Sequence, residues 1–451
     1  MDPELINDLT ELNKLLHFEN ISIRNRLLSI EKDTKFINKI HENYYSNYPK
    51  IPNERCGNWY VPEFSTTSYF KSTDGHTNNW SFSTKRLNLH LLRIIIENNG
   101  ILIIDSTRRG KKIPDSLSKT IPIWISIINK IINNSEFKDT FKTPKETVSK
   151  YENDRILDKL PEFYSNIEDF LDLIKSKVNE QEIKILKPFW IYPSCKEIPI
   201  FTGNEPFHPI IMISASEKFQ DGENKINGFT YVQGAGDDHE LWSNGLSPKI
   251  YYQNIEKFNN LINLNDNDVE KLINEIVNNE INKKSSIISN NNLLQFWNND
   301  DIYRVNDLLY FGKINKNIEF KYDETNYSEF SKIIILDSSF NLLINENKNK
   351  KQDIIHIFKL DSNCKKSSKL LRFKLPEIIN IVKTSMDKTL ILCNNGEDLS
   401  IGVIICCLNI NNNKLNLSKD SIRRDFIKLL DIRKLNPQRA TLNSVNSYLL
   451  S

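Results

Sequence analysis

The run Gly100-Ile101-Leu102-Ile103-Ile104-Asp105 narrows the possible folds more than any other stretch of the chain. Four consecutive aliphatic residues leave neither face of a strand for water, so the strand is expected to be covered on both sides. Helical patterns flank it, one over Arg86 to Glu97 and one starting near Pro114-Asp115 and running through Trp124 to Ile132. Helix, buried strand, polar loop and helix in succession mark an α/β domain.

The chain's 451 residues exceed what one core of ordinary size uses. From Pro3 to about Tyr45 apolar residues recur at helical spacing, predicting two or three helices that end at Pro49, Pro52 and the Cys56–Trp59 stretch. Glu270 to Ile281 reads as a surface helix, and Lys283 to Asn292 as a low-complexity linker. These features divide the chain into domains 1–299 and 300–451. The second has its own α/β pattern. Leu308–Gly312, Lys332–Leu336, Ile354–Leu360 and Thr389–Cys393 read as strands, and Leu375–Val382, Ile401–Leu408, Ser418–Leu430 and Ala440–Leu450 as helices.

The 60 basic and 58 acidic residues nearly cancel, so any surface that binds nucleic acid must be a local one. The six cysteines form no CxxC pair. The first residues are acidic where a secretory signal needs a basic start, and no run approaches the roughly 18 apolar residues of a membrane span. A cytoplasmic protein is expected, with neither membrane nor DNA as a partner.

Thr389 to Gly402 reads as strand, tight loop and helix, a geometry that aims backbone N–H groups at an anion. Its Cys393-x-x-Gly396-x-x-x-Ser400 spacing resembles the phosphate loop of dual-specificity phosphatases, as does the order of elements around it. Two positions depart from that family. Leu399 stands where the phosphate-clamping Arg is found, and Leu392 where the His before the Cys is found. Without the Arg, the thiolate and the transition-state charge lose their partner. Glu397 and Asp398 inside the loop would repel a bare phosphate but suit a Mg²⁺ held between carboxylates and a diphosphate. Cys393, Asn394, Asn395, Gly396, Glu397, Asp398 and Ser400 are therefore candidates to bind a phosphorylated ligand without hydrolysing it.

Three further loops carry chemistry. The first holds Lys71, Ser72, Thr73, Asp74 and His76 beside a Gly turn, followed by Lys85 and Arg86. The second leaves the carboxyl end of the apolar strand with Asp105, Arg108, Arg109 and Lys111, where α/β sheets place their ligands. The third has two glycines and then Asp237, Asp238 and His239.

The stretches CGNWYVP, YFKSTDGH, FSTKRLNLHLL, IDSTRRGKKIPDSLSKTIPIW, YVQGAGDDHELWS, CNNGEDLSIGV and NPQRATLNSVNSYLL resemble, in order and content, the initiator-tRNA 2′-O-ribosyl-phosphate transferases of fungi and plants. The resemblance runs from about residue 50 to the C-terminus. It implies an α/β chain of two domains, the second dual-specificity-phosphatase-like. It also implies 5-phosphoribosyl 1-pyrophosphate as donor, Mg²⁺ as cofactor, and the 2′-hydroxyl of purine 64 of initiator methionine tRNA as acceptor. The added group would bar that tRNA from elongation. Asp74, His76, Asp105, Asp237, Asp238 and His239 are then candidates for the base or a metal ligand. Lys71, Ser72, Thr73, Arg108, Arg109, Lys111 and the 393–400 loop are candidates for the donor's phosphates, with Asp398 and Glu397 on the metal. Lys85, Arg86, Lys365, Lys366 and Arg372 are candidates for the tRNA backbone. The competing expectation is a phosphatase-like pseudoenzyme serving as a phosphate-binding scaffold.

Overall fold

The computed structural model describes residues 22–451 except 55, 85, 109, 177–182, 220–222, 227, 291–296, 315–319, 322–329, 341, 344–353, 385–386, 412–416 and 434. Residues 1–21 of the expected N-terminal helices, Lys85, Arg109 and the last two residues of the expected linker lie outside the described set. The chain forms two compact units, Met1–Asn282 and Lys283–Ser451.

The first unit is built on a four-stranded parallel sheet: β1 (Lys50–Pro52), β2 (Ile101–Asp105), β3 (Ile185–Ile191) and β4 (Phe207–Ser214), in the order β1-β2-β4-β3. Strand side chains alternate between faces. Leu102, Ile104, Ile191, Ile211 and Ile213 enter one core together with helix α1 (Ile23–Tyr44) and a cluster containing Trp59, Tyr60, Trp242 and Tyr251. Ser22 caps α1 by accepting from the Asn25 amide, and Ile23, Leu27, Leu28, Ile30, Ile37 and Ile40 form its buried stripe.

Helix α2 (His90–Asn98) precedes β2 and helix α3 (Ile121–Asn133) follows it, so the flanking pair expected from the sequence is present with shifted ends. On α3, the buried Asn129 side chain donates to the Leu186 carbonyl (2.9 Å) and accepts from the Leu186 amide (2.8 Å), which ties the helix to β3. A hairpin of β5 (Glu223–Ile226) and β6 (Phe229–Val232) leads into the third loop. Helix α4 (Asp266–Asn290) runs past the expected surface helix into the stretch expected to be linker.

The second unit has a five-stranded sheet. Strands β8 (Leu309–Ile314), β10 (Lys332–Leu336), β12 (Ile355–Phe358) and β13 (Thr389–Cys393) are parallel, in the order β12-β10-β13-β8. β7 (Trp297–Arg304) adds an antiparallel edge next to β8, and β9 (Phe320–Lys321) pairs separately with β11 (Leu342–Leu343). Ile334, Leu336, Ile391 and Cys393 face a helical layer, while Ile333, Ile335, Leu390 and Leu392 face a second cluster with Trp297 and Phe330. The helices are α5 (Lys365–Lys383), α6 (Leu399–Asn411), α7 (Lys419–Ile432) and α8 (Arg439–Leu449). α6 is apolar nearly all round and lies in the middle of the core.

Helix α5 begins ten residues before the expected Leu375. Its buried stripe Ser367, Ser368, Leu371, Leu375, Ile378 and Ile379 continues at helical spacing through the basic stretch and past Pro376. The high Lys content and the internal Pro hid that stripe in the sequence. Among the described residues, no helix is long and apolar enough to cross a membrane.

Candidate active site at the carboxyl edge of the first sheet

β2 and β4 end side by side at Asp105 and Ser214, and the Ala215 amide donates to the Asp105 carbonyl (2.9 Å). The Asp105 carboxyl is buried. Its Oδ2 accepts from Asn53 Nδ2 (2.8 Å) and Ser116 Oγ (2.5 Å), and its Oδ1 from the Ser106 amide (2.8 Å). A carboxylate offers about four lone-pair positions. Three are used, so one on Oδ1 remains open among the described residues. Burial raises the Asp105 pKa to about 6, against the lowering effect of those three donors.

A second polar chain lies behind this one. Ser106 Oγ and Ser216 Oγ share a hydrogen bond of 2.5 Å, and Ser216 donates to Asp33 Oδ2 (2.7 Å). Tyr231 donates to Asp33 Oδ1 (2.8 Å), and the Gly234 amide donates to Ser216 Oγ (3.1 Å). Asp33 is buried on α1, and desolvation pushes its pKa to about 8. No candidate site residue is expected in residues 1–45, yet this helix supplies the acid that ties the ends of β4 and β6 together.

The third loop rests directly on the second. Gly234 has φ of 69°, and a Cβ there would come within 2.7 Å of the Thr107 carbonyl carbon and oxygen. Only glycine suits both the conformation and the contact. Gln233 Nε2 donates to the Lys111 carbonyl (2.7 Å). Arg108 reaches across to Asp237 (2.9 Å to Oδ2) and to Asp238. His239 lies edge-on to Trp59, whose ring also packs against Trp242. The Gly236 amide donates to Tyr60 Oη (3.0 Å).

The first loop closes the third side. Thr120 Oγ1 donates to the Lys71 carbonyl (3.0 Å), and Ser72, Thr73 and Asp74 form a short 3-10 turn with Gly75. The chain enters α3 through a π turn, Ser116–Thr120, a widening often found at functional sites. This turn places Ser116 on Asp105 and the buried Lys119 on Asp115 (3.1 Å) and Glu152 (3.0 Å). Asp115 also meets Lys111 (2.5 Å) and His76 (3.7 Å). Asp74 and Arg86 occupy each other in a partly buried ion pair of 2.7 Å. That pairing joins an acid expected as a base to a cation expected to meet tRNA. Asn53, Ser116, Ser216, Asp33 and Asp115 belong to the site but were not read from the sequence.

In the Cys393–Ser400 loop of the second unit, Cys393, Asn395, Glu397 and Ser400 bond to one another. Cys393 is buried, with Sγ 3.1 Å from Ser400 Oγ and 3.3 Å from Asn395 Oδ1. Asn395 Oδ1 also accepts from the Glu397 amide (3.1 Å), a donor that a phosphate loop would turn toward its ligand. Gly396 supplies the left-handed turn with φ of 71°, and Asn394 Oδ1 is buried without a partner among the described residues. Leu399, at the clamping position, is fully buried in the core.

Asp398 is also fully buried. It accepts from Thr441 Oγ1 (2.6 Å) and the Gln438 amide (3.0 Å) on Oδ1, and from the Asn363 amide (2.9 Å) on Oδ2. The metal-ligand role expected of Asp398 is therefore replaced by that of an internal anchor. Lys365, Lys366 and Arg372 stand exposed on α5. Among the described residues no group of three or more His, Cys, Asp or Glu could hold a metal ion by itself. Mg²⁺ commonly needs only one or two carboxylates beside its phosphates. Asp237 and Asp238, partly exposed next to Arg108, fit that donor set.

Residues 16–278 match the family description Rit1 N-terminal domain, and residues 354–449 match Rit1 DUSP-like domain. A Saccharomyces cerevisiae protein, tRNA A64-2′-O-ribosylphosphate transferase, is 38% identical over 501 aligned positions that take in 100% of this chain and 96% of that protein. An uncharacterized Schizosaccharomyces pombe protein is 31% identical, covering 97% of this chain and 96% of its own length. The solved structure of human DUSP28 covers 33% of this chain and 93% of its own at 13% identity, with a TM-score of 0.24 that carries no argument. The fold and these matches define a two-domain α/β transferase with a dual-specificity-phosphatase-like second domain. The chain belongs to the Rit1 family, the ribosylphosphate transferases that its motifs resemble.

Proposed function

We propose that the chain acts in the cytoplasm to move the phosphoribosyl group of 5-phosphoribosyl 1-pyrophosphate onto the 2′-hydroxyl of purine 64 of initiator methionine tRNA, barring that tRNA from elongation. The supporting observation is the buried Asp105 at the carboxyl edge of the parallel sheet, with a pKa of about 6 and, among the described residues, one open lone pair. A general base works best with a pKa near the working pH.

In this reading the tRNA 2′-oxygen bonds to C1 of the donor ribose as the C1–oxygen bond to diphosphate breaks. The 2′-hydroxyl proton passes to Asp105 Oδ1. Asn53 and Ser116 fix the carboxyl plane, and the Ser106–Ser216–Asp33 chain fixes the turn that carries it. Arg108 and Lys111 supply positive charge to the donor's phosphates. Mg²⁺ bound with the donor on Asp237 and Asp238 would neutralise charge on the departing diphosphate.

The test is transfer of label from radiolabelled 5-phosphoribosyl 1-pyrophosphate, in Mg²⁺, to initiator or elongator methionine tRNA. Label on initiator tRNA alone is expected, and a 2′-deoxy nucleotide at position 64 should abolish it. No label on either RNA would sink the reading. The scaffold alternative draws less support, because Asn395 occupies donor positions inside the loop that would have to bind the phosphate.

A further inference from the structure

The second unit keeps a phosphatase-like fold but has closed its loop, which raises the question of what that unit now does. Asp398 holds the Asn363 amide, just ahead of α5, and the Gln438 amide and Thr441 hydroxyl at the start of α8. This loop thus fixes two helices in place.

α5 buries Ser367, Leu371, Leu375 and Ile378. Its opposite side presents Lys366, Lys369, Leu370 and Phe373, at the 3–4 spacing that makes one helix face. Lys365, Arg372 and Lys374 border it. Phe373 is 74% exposed and Leu370 42%. Lys374 pairs with Glu377 (3.0 Å), while Lys365, Lys366, Lys369 and Arg372 meet no acid among the described residues. An exposed phenylalanine and leucine lie among unpaired cations, which in a chain whose total charge is only +2 concentrate positive potential at one place.

We infer that this face of α5 docks the acceptor RNA. Lys366 and Lys369 neutralise backbone phosphates, and Phe373 packs against an accessible base. The occupant is chosen by charge complementarity, since a row of unpaired cations around an aromatic ring matches a polyanion that also offers flat apolar faces. The inference rests on the transferase reading, and it divides the labour: the first unit does the chemistry and the second holds the RNA.

The test measures affinity of the full chain for initiator tRNA across a salt series, with transfer measured in parallel. Lys366→Ala with Lys369→Ala is expected to weaken binding and to flatten the slope of log affinity against log salt by about 0.7 to 0.9 per lost phosphate contact. Phe373→Ala should weaken binding on the order of tenfold with little change in slope. Lys419→Ala, on α7, should leave both unchanged. A wild-type chain that transfers label, with affinity and slope unmoved by these substitutions, overturns the inference and leaves the transferase reading standing. That same result is expected if the face serves a protein partner. A wild-type chain that neither labels nor binds tRNA overturns both.

Discussion

Asp398 Oδ1 lies 2.6 Å from Thr441 Oγ1, in full burial, where the loop meets the start of α8. A carboxylate at a helix N-terminus is favoured by the helix dipole and by unpaired amides. Removing it leaves the Asn363 and Gln438 amides and the buried Thr441 hydroxyl without their acceptor, and a buried group left so costs about 1–3 kcal/mol. Asp398→Ala should therefore strongly destabilise the second unit, and Thr441→Val should do so by about 1–3 kcal/mol. Urea unfolding checks this. The Mg²⁺ concentration needed for half-maximal transfer by Thr441→Val should match the wild type; a marked rise would return Asp398 to the metal.

Gly234 joins the second and third loops. Gly234→Ala must accommodate a Cβ at 2.7 Å from Thr107 at a φ of 69°. Left-handed backbone alone costs a non-glycine residue about 1–2 kcal/mol, and the contact adds to it. Transfer activity is expected to fall by more than the loss of folded protein accounts for, measured as rate per folded molecule. Unchanged activity would mean that the two loops do not need this contact.

Asp33 makes stability depend on pH. Its folded pKa of about 8 lies above the ordinary 3.8. The protonated form is thus favoured by folding, a contribution fully present below about pH 4 and lost as pH rises through about 8. Asp105 acts in the same direction up to about pH 6. Five of the six tryptophans (Trp59, Trp80, Trp124, Trp190 and Trp242) belong to the first unit, so their fluorescence reports its unfolding. Stability by that signal should decline over this window, and Asp33→Asn should flatten the decline. A wild-type profile already flat would contradict the burial argument.

Asp105 predicts the acid limb of catalysis. A base must be deprotonated to act, so the transfer rate should fall as pH drops below about 6. Asp105→Asn keeps the shape but not the proton acceptor, and a loss of about 10²–10⁴-fold is expected. A pH–rate profile of the wild type locates the limb.

The parts legible in the sequence were those with strong local patterns. Ile101 to Asp105 could only be a covered strand, and the loop after it could only lie at the carboxyl edge. Ile391 and Leu392 announced the strand before the second unit's loop. Several site residues were not legible because tertiary contacts alone give them meaning. Asp33 looks like any polar residue on α1 until Ser216 and Tyr231 meet it. Asp398 looked available to a metal because sequence does not show that α8 returns to place Thr441 against it. Arg86 looked free for RNA because its partner, Asp74, lies across a turn.

The most direct test of where the chemistry resides compares two variants in the label-transfer assay on initiator tRNA. Asp105→Asn alters the carboxyl edge of the first sheet, and Cys393→Ala alters the closed loop of the second unit. The account predicts loss of transfer per folded molecule with Asp105→Asn, and near wild-type transfer with Cys393→Ala. Full activity in Asp105→Asn, or its loss in a folded Cys393→Ala, would contradict it.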